Sequence, residues 1–184
     1  SPVESFNVGN VSPGSTRIYE WITTIPANGI GGYGDWSATS ETMQKGKGYI
    51  IRNIIGTPTA NTPVFVGKPN NGIITKSITR GSYNGVNYPG GGVGSIATRW
   101  DDNWNLVGNP YPSAIDPELF ILENQLALEG TLYFWTHRTA IVDGLPGIDG
   151  YNFTNDDYNS YNLSGMVASG AGQATPPNFK IASG

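Results

Sequence analysis

The segment Trp104-Asn105-Leu106-Val107-Gly108-Asn109-Pro110-Tyr111-Pro112-Ser113-Ala114-Ile115-Asp116 constrains this chain more than any other. Trp104, Leu106 and Val107 favour a half-buried strand, and Gly108-Asn109 breaks it. Pro110 and Pro112 fix their own φ and push Asn109 and Tyr111 into extended geometry. Asp116-Pro117-Glu118 then supplies an N-cap, a proline at the first helical position and an acidic first turn. A strand, a tight double-proline turn with one X-Pro bond a candidate for cis, and a helix are expected in that order. The Asn109 side chain is expected to cap the turn. Nothing in the segment pairs a nucleophile with a base.

Elsewhere, β-branched and aromatic runs recur at short spacing, at 17–23, 48–52, 64–66, 73–79, 104–107, 132–136, 165–168 and 179–182. Between 73 and 79 the pattern has period two, with Ile74 and Ile78 on one face and Thr75, Ser77 and Thr79 on the other. With 26 Gly and 13 Pro the chain turns often, and its 11% aromatic content gives it enough apolar area to fold. One helix is expected, from Asp116 to about Leu126, burying Leu119, Phe120, Leu122 and Leu126 with Glu118 and Glu123 outward. The fold class that follows is all-β: an antiparallel β-sandwich or jelly-roll-like domain with one short α-helix near 116–126. Residues 82–95 lack apolar periodicity and read as a loop.

Taken in order, several segments resemble modules of large surface and secreted proteins of Bacteroidota exported by the type IX secretion system. They are Trp36, Met43-Gln44-Lys45-Gly46-Lys47-Gly48-Tyr49-Ile50, Phe65-Val66-Gly67-Lys68-Pro69-Asn70-Asn71-Gly72 and the Gly-Asn-Pro-Tyr-Pro-Ser run at 108–113. Gly130-Thr131-Leu132-Tyr133-Phe134-Trp135-Thr136-His137, residues 155–165 and the final Lys180-Ile181-Ala182-Ser183-Gly184 continue the order. The resemblance implies an extracellular location, secreted or at the cell surface, and contact with the type IX machinery through a larger parent protein. It implies place and export route more than activity. One module over 1–184 is expected, or two related half-modules at 1–99 and 100–184, as a fragment of that parent. Ser1 is not an initiator Met, which fits a mature or excised piece.

Several functions are disfavoured by the residues themselves. Without cysteine there is no disulfide framework, thiolate nucleophile or Cys-ligated metal. The single histidine, His137, leaves a Ser113-based triad without spacing support, and Ser113 lacks a Gly-x-Ser-x-Gly elbow. Gly29–Gly34 and Gly92–Ala97 match glycine-rich nucleotide fingerprints in letters only, because neither opens a helix. Residues 1–100 hold eight Lys/Arg against four Asp/Glu, and residues 101–184 hold two against ten. The scattered cations of the first part do not make a nucleic-acid surface, although opposite charge could bias contacts between neighbouring copies. No apolar run reaches the roughly 20 residues of a membrane span.

Two constellations remain. Asp143, Asp149, Asn155, Asp156 and Asp157, with Asn152, offer hard oxygen ligands within one loop, which suits calcium; Asx-turns are the alternative use of the same side chains. No other cofactor is expected. Trp36, Trp100, Tyr83, Tyr88 and Tyr151, with Tyr111 and Tyr158, lie in or beside loops where rings can stack on a sugar or anchor the loop. Carboxylates such as Asp101, Asp102, Asp116 and Glu123 match glycosidase chemistry by type alone. The sequence therefore points to a non-catalytic cell-surface module with an adhesion or structural, presenting role. The alternative is a carbohydrate-binding module attached to a secreted polysaccharide-degrading enzyme, with a surface glycan as partner.

Overall fold

A computed structural model describes residues 18–24, 32–39, 41–51, 65–87, 96–135, 157–168 and 180–182. The chain divides into two compact units, 1–114 with 182–184, and 115–181. Among the described residues each contains one three-stranded antiparallel sheet, so the fold is predominantly β with one short α-helix.

In the first unit, β1 (Ile18–Ile22) is the central strand, flanked by β2 (Asp35–Ala38) and β3 (Ile50–Ile51). Trp21 faces Trp36 across the β1–β2 ladder, and Tyr19 faces Ile50 across β1–β3. Ile18 is fully buried, with Met43, Tyr49 and Phe65 packed against it. Glu20, also buried, forms an ion pair with Lys47. Lys47 in turn bridges Val107, and Gly48 N–H donates to Leu106 O at 3.2 Å. A side chain at Gly48 has no room, since its Cβ would sit 2.6 Å from Leu106 Cγ.

The expected strand at 104–107 is therefore extended chain held by single bridges rather than a full ladder member. A second departure lies at 73–79, where the structure has no strand and Ile73 is 98% exposed. Here one side chain replaces a ladder: the Asn105 amide accepts from Thr79 N–H at 3.0 Å and donates to Thr79 O at 2.8 Å. A primary amide has the donor and acceptor of a peptide group, so it can pair a backbone as a neighbouring strand would. The Trp21 indole N–H and the Thr23 hydroxyl both donate to Trp104 O, at 2.9 and 2.8 Å, tying positions more than 80 residues apart.

The double-proline turn closes as expected through Asn109. Its side-chain oxygen accepts from Tyr111 N–H at 2.9 Å and its amide donates to Ser113 O at 2.8 Å. The buried Asn70 amide braces the same turn by donating to Pro110 O at 2.8 Å. The cis candidates are trans, as are all peptide bonds among the described residues.

In the second unit, helix α1 (Pro117–Glu123) opens on Asp116, whose carboxylate accepts from Glu118 and Leu119 N–H and pairs with Lys180. It is shorter than the expected 116–126, because the Asn124 side chain donates to Phe120 O at 2.8 Å and takes up a terminal carbonyl. The buried stripe also differs: Pro117 and Ile121 face inward, whereas Leu119, Leu122 and Leu126 are exposed. The sheet runs β4 (Thr131–Trp135), β5 (Tyr158–Asn162), β6 (Gly165–Ala168). Leu163-Ser164 forms the two-residue connection of the β5–β6 hairpin, with Ser164 N–H on Asn162 Oδ1 at 2.9 Å. Ile115 pairs with Ile181 through reciprocal backbone hydrogen bonds.

Candidate functional site

Within the first unit, the expected aromatic positions each serve a different local structure. Trp36 is half-buried and meets Trp21 edge-on, with ring centroids 5.2 Å apart and planes at 74°. Tyr83 lies 6.3 Å from the buried Tyr33 and donates its hydroxyl to Ala97 O at 2.8 Å. The Tyr33 hydroxyl donates to Asn87 O at 3.1 Å. Burial, then the neighbouring Tyr83, Asp35 and Asp101, hold the Tyr33 pKa above its ordinary value. Trp100 is 53% exposed, but the Arg99 guanidinium lies 4.4 Å from its ring centroid and occupies one face. Tyr111 donates its hydroxyl to Gly72 O at 2.7 Å. Tyr88 and Tyr151 lie outside the described residues.

The carboxylates nearby fasten loops. Buried Asp102 accepts from Arg80 Nε at 2.7 Å and from Tyr83 N–H at 3.1 Å, and its carbonyl accepts from Gly81 N–H at 2.7 Å. The described part of the 82–95 loop is thereby anchored without regular structure. Asp101 accepts from both the N–H and the hydroxyl of Thr98, at 2.6 and 2.8 Å. The peptide groups here are also in close approach: a Cβ on Gly32 (φ +70°) would meet Ser82 O at 1.9 Å.

Of the calcium candidates, Asp143, Asp149, Asn155 and Asp156 lie outside the described residues, as does Asn152. Asp157 is buried immediately before β5. Among the described residues, no group of three or more His, Asp or Glu side chains gathers where it could hold a metal.

The second unit presents a different arrangement, which loop-based reasoning missed. Along β4 exposure alternates, with Tyr133 and Trp135 exposed and Leu132 and Phe134 half-buried. Trp135 faces Tyr158 across the β4–β5 ladder, Tyr133 faces Ser160, and Ser160 faces the exposed Val167 on β6. Tyr133, Trp135 and Tyr158 therefore share one face of the sheet, 51%, 42% and 43% exposed. Partial burial, then the adjacent Asp157 carboxylate, raises the Tyr158 pKa, so its phenol stays a neutral donor at physiological pH. The signal was present in the Leu-Tyr-Phe-Trp alternation at 132–135, which puts the two amphipathic rings on the same side. The strand alternation thus gathers three amphipathic rings on one side of this sheet.

Among the described residues, no helix is long and apolar enough to cross a membrane. No curated protein and no solved structure matches the chain. A family model does match, over residues 1–184, and by that match the chain belongs to the domain of unknown function family DUF8693.

Proposed function

We propose that this chain is a non-catalytic module of a secreted or cell-surface protein, exported by the type IX route of Bacteroidota, with an adhesion or presenting role. In this reading the two antiparallel sheets belong to a β-sandwich or jelly-roll-like architecture. The observation that carries it is the use made of the polar groups. Asp101, Asp102, Asp116, Asn105 and Asn109 each fasten a loop, a turn or a helix end. General acid–base catalysis instead needs carboxyls facing a shared reacting centre with separated pKa values. The export route rests on the order of sequence segments and on nothing in the geometry.

A second reading, a carbohydrate-binding module attached to a polysaccharide-degrading enzyme, is favoured by the exposed rings of β4 and β5. A glycan array run beside a cell-adhesion assay, each with and without calcium, tests both. Adhesion or glycan retention without turnover supports a binding module. Glycan cleavage abolished by Asp101→Asn or Asp102→Asn in a folded protein overturns the non-catalytic reading.

A further inference from the structure

We infer that Asn71-Gly72 is a site of spontaneous covalent modification, at which the Gly72 main-chain nitrogen attacks the Asn71 carboxamide and converts it to aspartate or isoaspartate. The inference is independent of what the module binds.

Geometry comes first. Gly72 N–H donates to Asn71 Oδ1 at 2.8 Å, which holds the nitrogen beside the Cγ carbon it attacks. Groups kept about 3–3.5 Å apart gain reactivity from proximity. Both residues are exposed, so water reaches them. Gly72 sits at φ +76°, and a Cβ built on it would meet nothing within 4 Å. No neighbour therefore blocks the peptide between 71 and 72 from turning onto the carboxamide.

Other asparagines are placed differently. Asn84 is also followed by a glycine, Gly85, at φ +92° and in open space. There, however, Asn84 Oδ1 accepts from Val86 N–H at 3.1 Å, so the carboxamide closes an Asx-turn onto the residue beyond the glycine. Asn109 precedes Pro110, whose ring nitrogen has no proton to lose. A third Asn-Gly pair, Asn28-Gly29, lies outside the described residues.

The step balances with water as the only co-reactant. The Gly72 nitrogen loses its proton and bonds to Asn71 Cγ, the Cγ–Nδ2 bond breaks, and Nδ2 leaves as ammonia with that proton. Water then opens the cyclic imide. Addition at Cγ gives aspartate; addition at the main-chain carbonyl gives isoaspartate, whose backbone runs through Cβ and Cγ and is a carbon longer. That longer backbone falls between two pinned neighbours. The Asn70 amide donates to Pro110 O at 2.8 Å, and Gly72 O accepts from the Tyr111 hydroxyl at 2.7 Å. Isoaspartate at position 71 therefore strains both braces of the double-proline turn.

The test incubates the full chain in mildly alkaline buffer, where the attacking nitrogen loses its proton more readily, both folded and in urea. Peptide mass spectrometry reads the amide-to-acid mass gain at each asparagine, and enzymatic methylation identifies isoaspartate. In the folded chain Asn71 converts about threefold or more faster than Asn84, as its nearer approach requires. In urea, where only the shared Asn-Gly sequence acts, the two convert at comparable rates. The isoaspartate form, separated by ion exchange, melts about 2–4 °C lower, the effect of one lost hydrogen bond in a chain of this length. Asn71→Ser, which cannot form the imide, keeps its own melting temperature through the same incubation. Asn71 left intact in the folded chain overturns the site. Asn84 outpacing Asn71, or one rate ratio both folded and in urea, overturns the geometric assignment. Isoaspartate at 71 with an unmoved melting temperature overturns the strain on the turn.

Discussion

Replacing Asn109 by alanine isolates what the double-proline turn needs. Asn109 is 6% exposed, and its amide makes two hydrogen bonds, from Tyr111 N–H at 2.9 Å and to Ser113 O at 2.8 Å. Each such bond contributes about 0.5–1.5 kcal/mol net, with more lost where a partner stays buried and unsatisfied. Ser113 is exposed, so its carbonyl can regain water; Tyr111 is half-buried, so its N–H regains less. The two together give about 2 kcal/mol, or roughly 4–8 °C in melting temperature for a chain of this length. Asn109→Asp separates the two bonds. It keeps the acceptor for Tyr111 but sets a carboxylate against Ser113 O, so at neutral pH it is at least as destabilising as alanine. The carboxyl pKa in that variant is raised by folding, because only the protonated form can donate to Ser113 O. Its penalty is therefore full above the folded pKa and relieved as pH falls through it. Urea melts of wild type and both variants, at neutral and mildly acidic pH, read these differences. An Asn109→Ala protein within about 0.5 kcal/mol of wild type would refute the reasoning, because that is the scatter of an uninvolved surface substitution.

Three further outcomes are expected. Gly48→Ala places its new methyl 2.6 Å from Leu106 Cγ and 3.0 Å from Val107 O, and lowers stability by about 1–3 kcal/mol in a denaturant melt; an unchanged midpoint contradicts the packing. The hydrogen bond from Lys180 and the one from Leu119 N–H hold the Asp116 pKa below its unfolded value, so its contribution is present above about pH 4 and lost as pH falls through the folded value. Asp116→Asn, which can still cap the helix, flattens the acid limb of the stability curve, and an unaltered limb rejects the linkage. If the chain binds calcium, the 143–157 loop is its place, and the melting temperature then rises at millimolar concentration and falls with chelator; a flat response up to about 10 mM leaves the Asx-turn account.

Where sequence patterns and the structure part, the reasons are local. β1 and β4 are rich in Ile, Tyr, Trp and Thr and are readable as strands, whereas β6, Gly-Met-Val-Ala, stands where a strand is expected at 165–168 with Val167 as its one strongly β-favouring residue. β2 and β5, Asp-Trp-Ser-Ala and Tyr-Asn-Ser-Tyr-Asn, hold residues that avoid strands on average, and are strands because each completes a neighbour's hydrogen bonding. The 73–79 segment has the right alternation, but the Asn105 side chain takes the role a strand would have played, and no periodicity reports a side chain imitating a backbone. The helix was placed correctly at its start, where Asp116 and Pro117 act within four residues of chain, and overrun at its end, where Asn124 turns back on Phe120. Loop aromatics were sought because loops carry binding residues, and that rule passed over Tyr133 and Trp135 on a strand.

The tie from Trp21 and Thr23 to Trp104 has a consequence for how the first unit is reached from the unfolded chain. It spans 83 and 81 residues, whereas the β5–β6 hairpin closes over the two residues Leu163-Ser164. Each doubling of loop length adds about 0.6 kcal/mol of closure entropy, so roughly five doublings separate the two events by about 3 kcal/mol. The hairpin can form in microseconds, while the Trp104 carbonyl finds its two donors only after most of the first unit has been made. Until then Trp21 and Trp104 lack the hydrogen bond that joins them, and a chain emerging slowly during synthesis meets that interval every time.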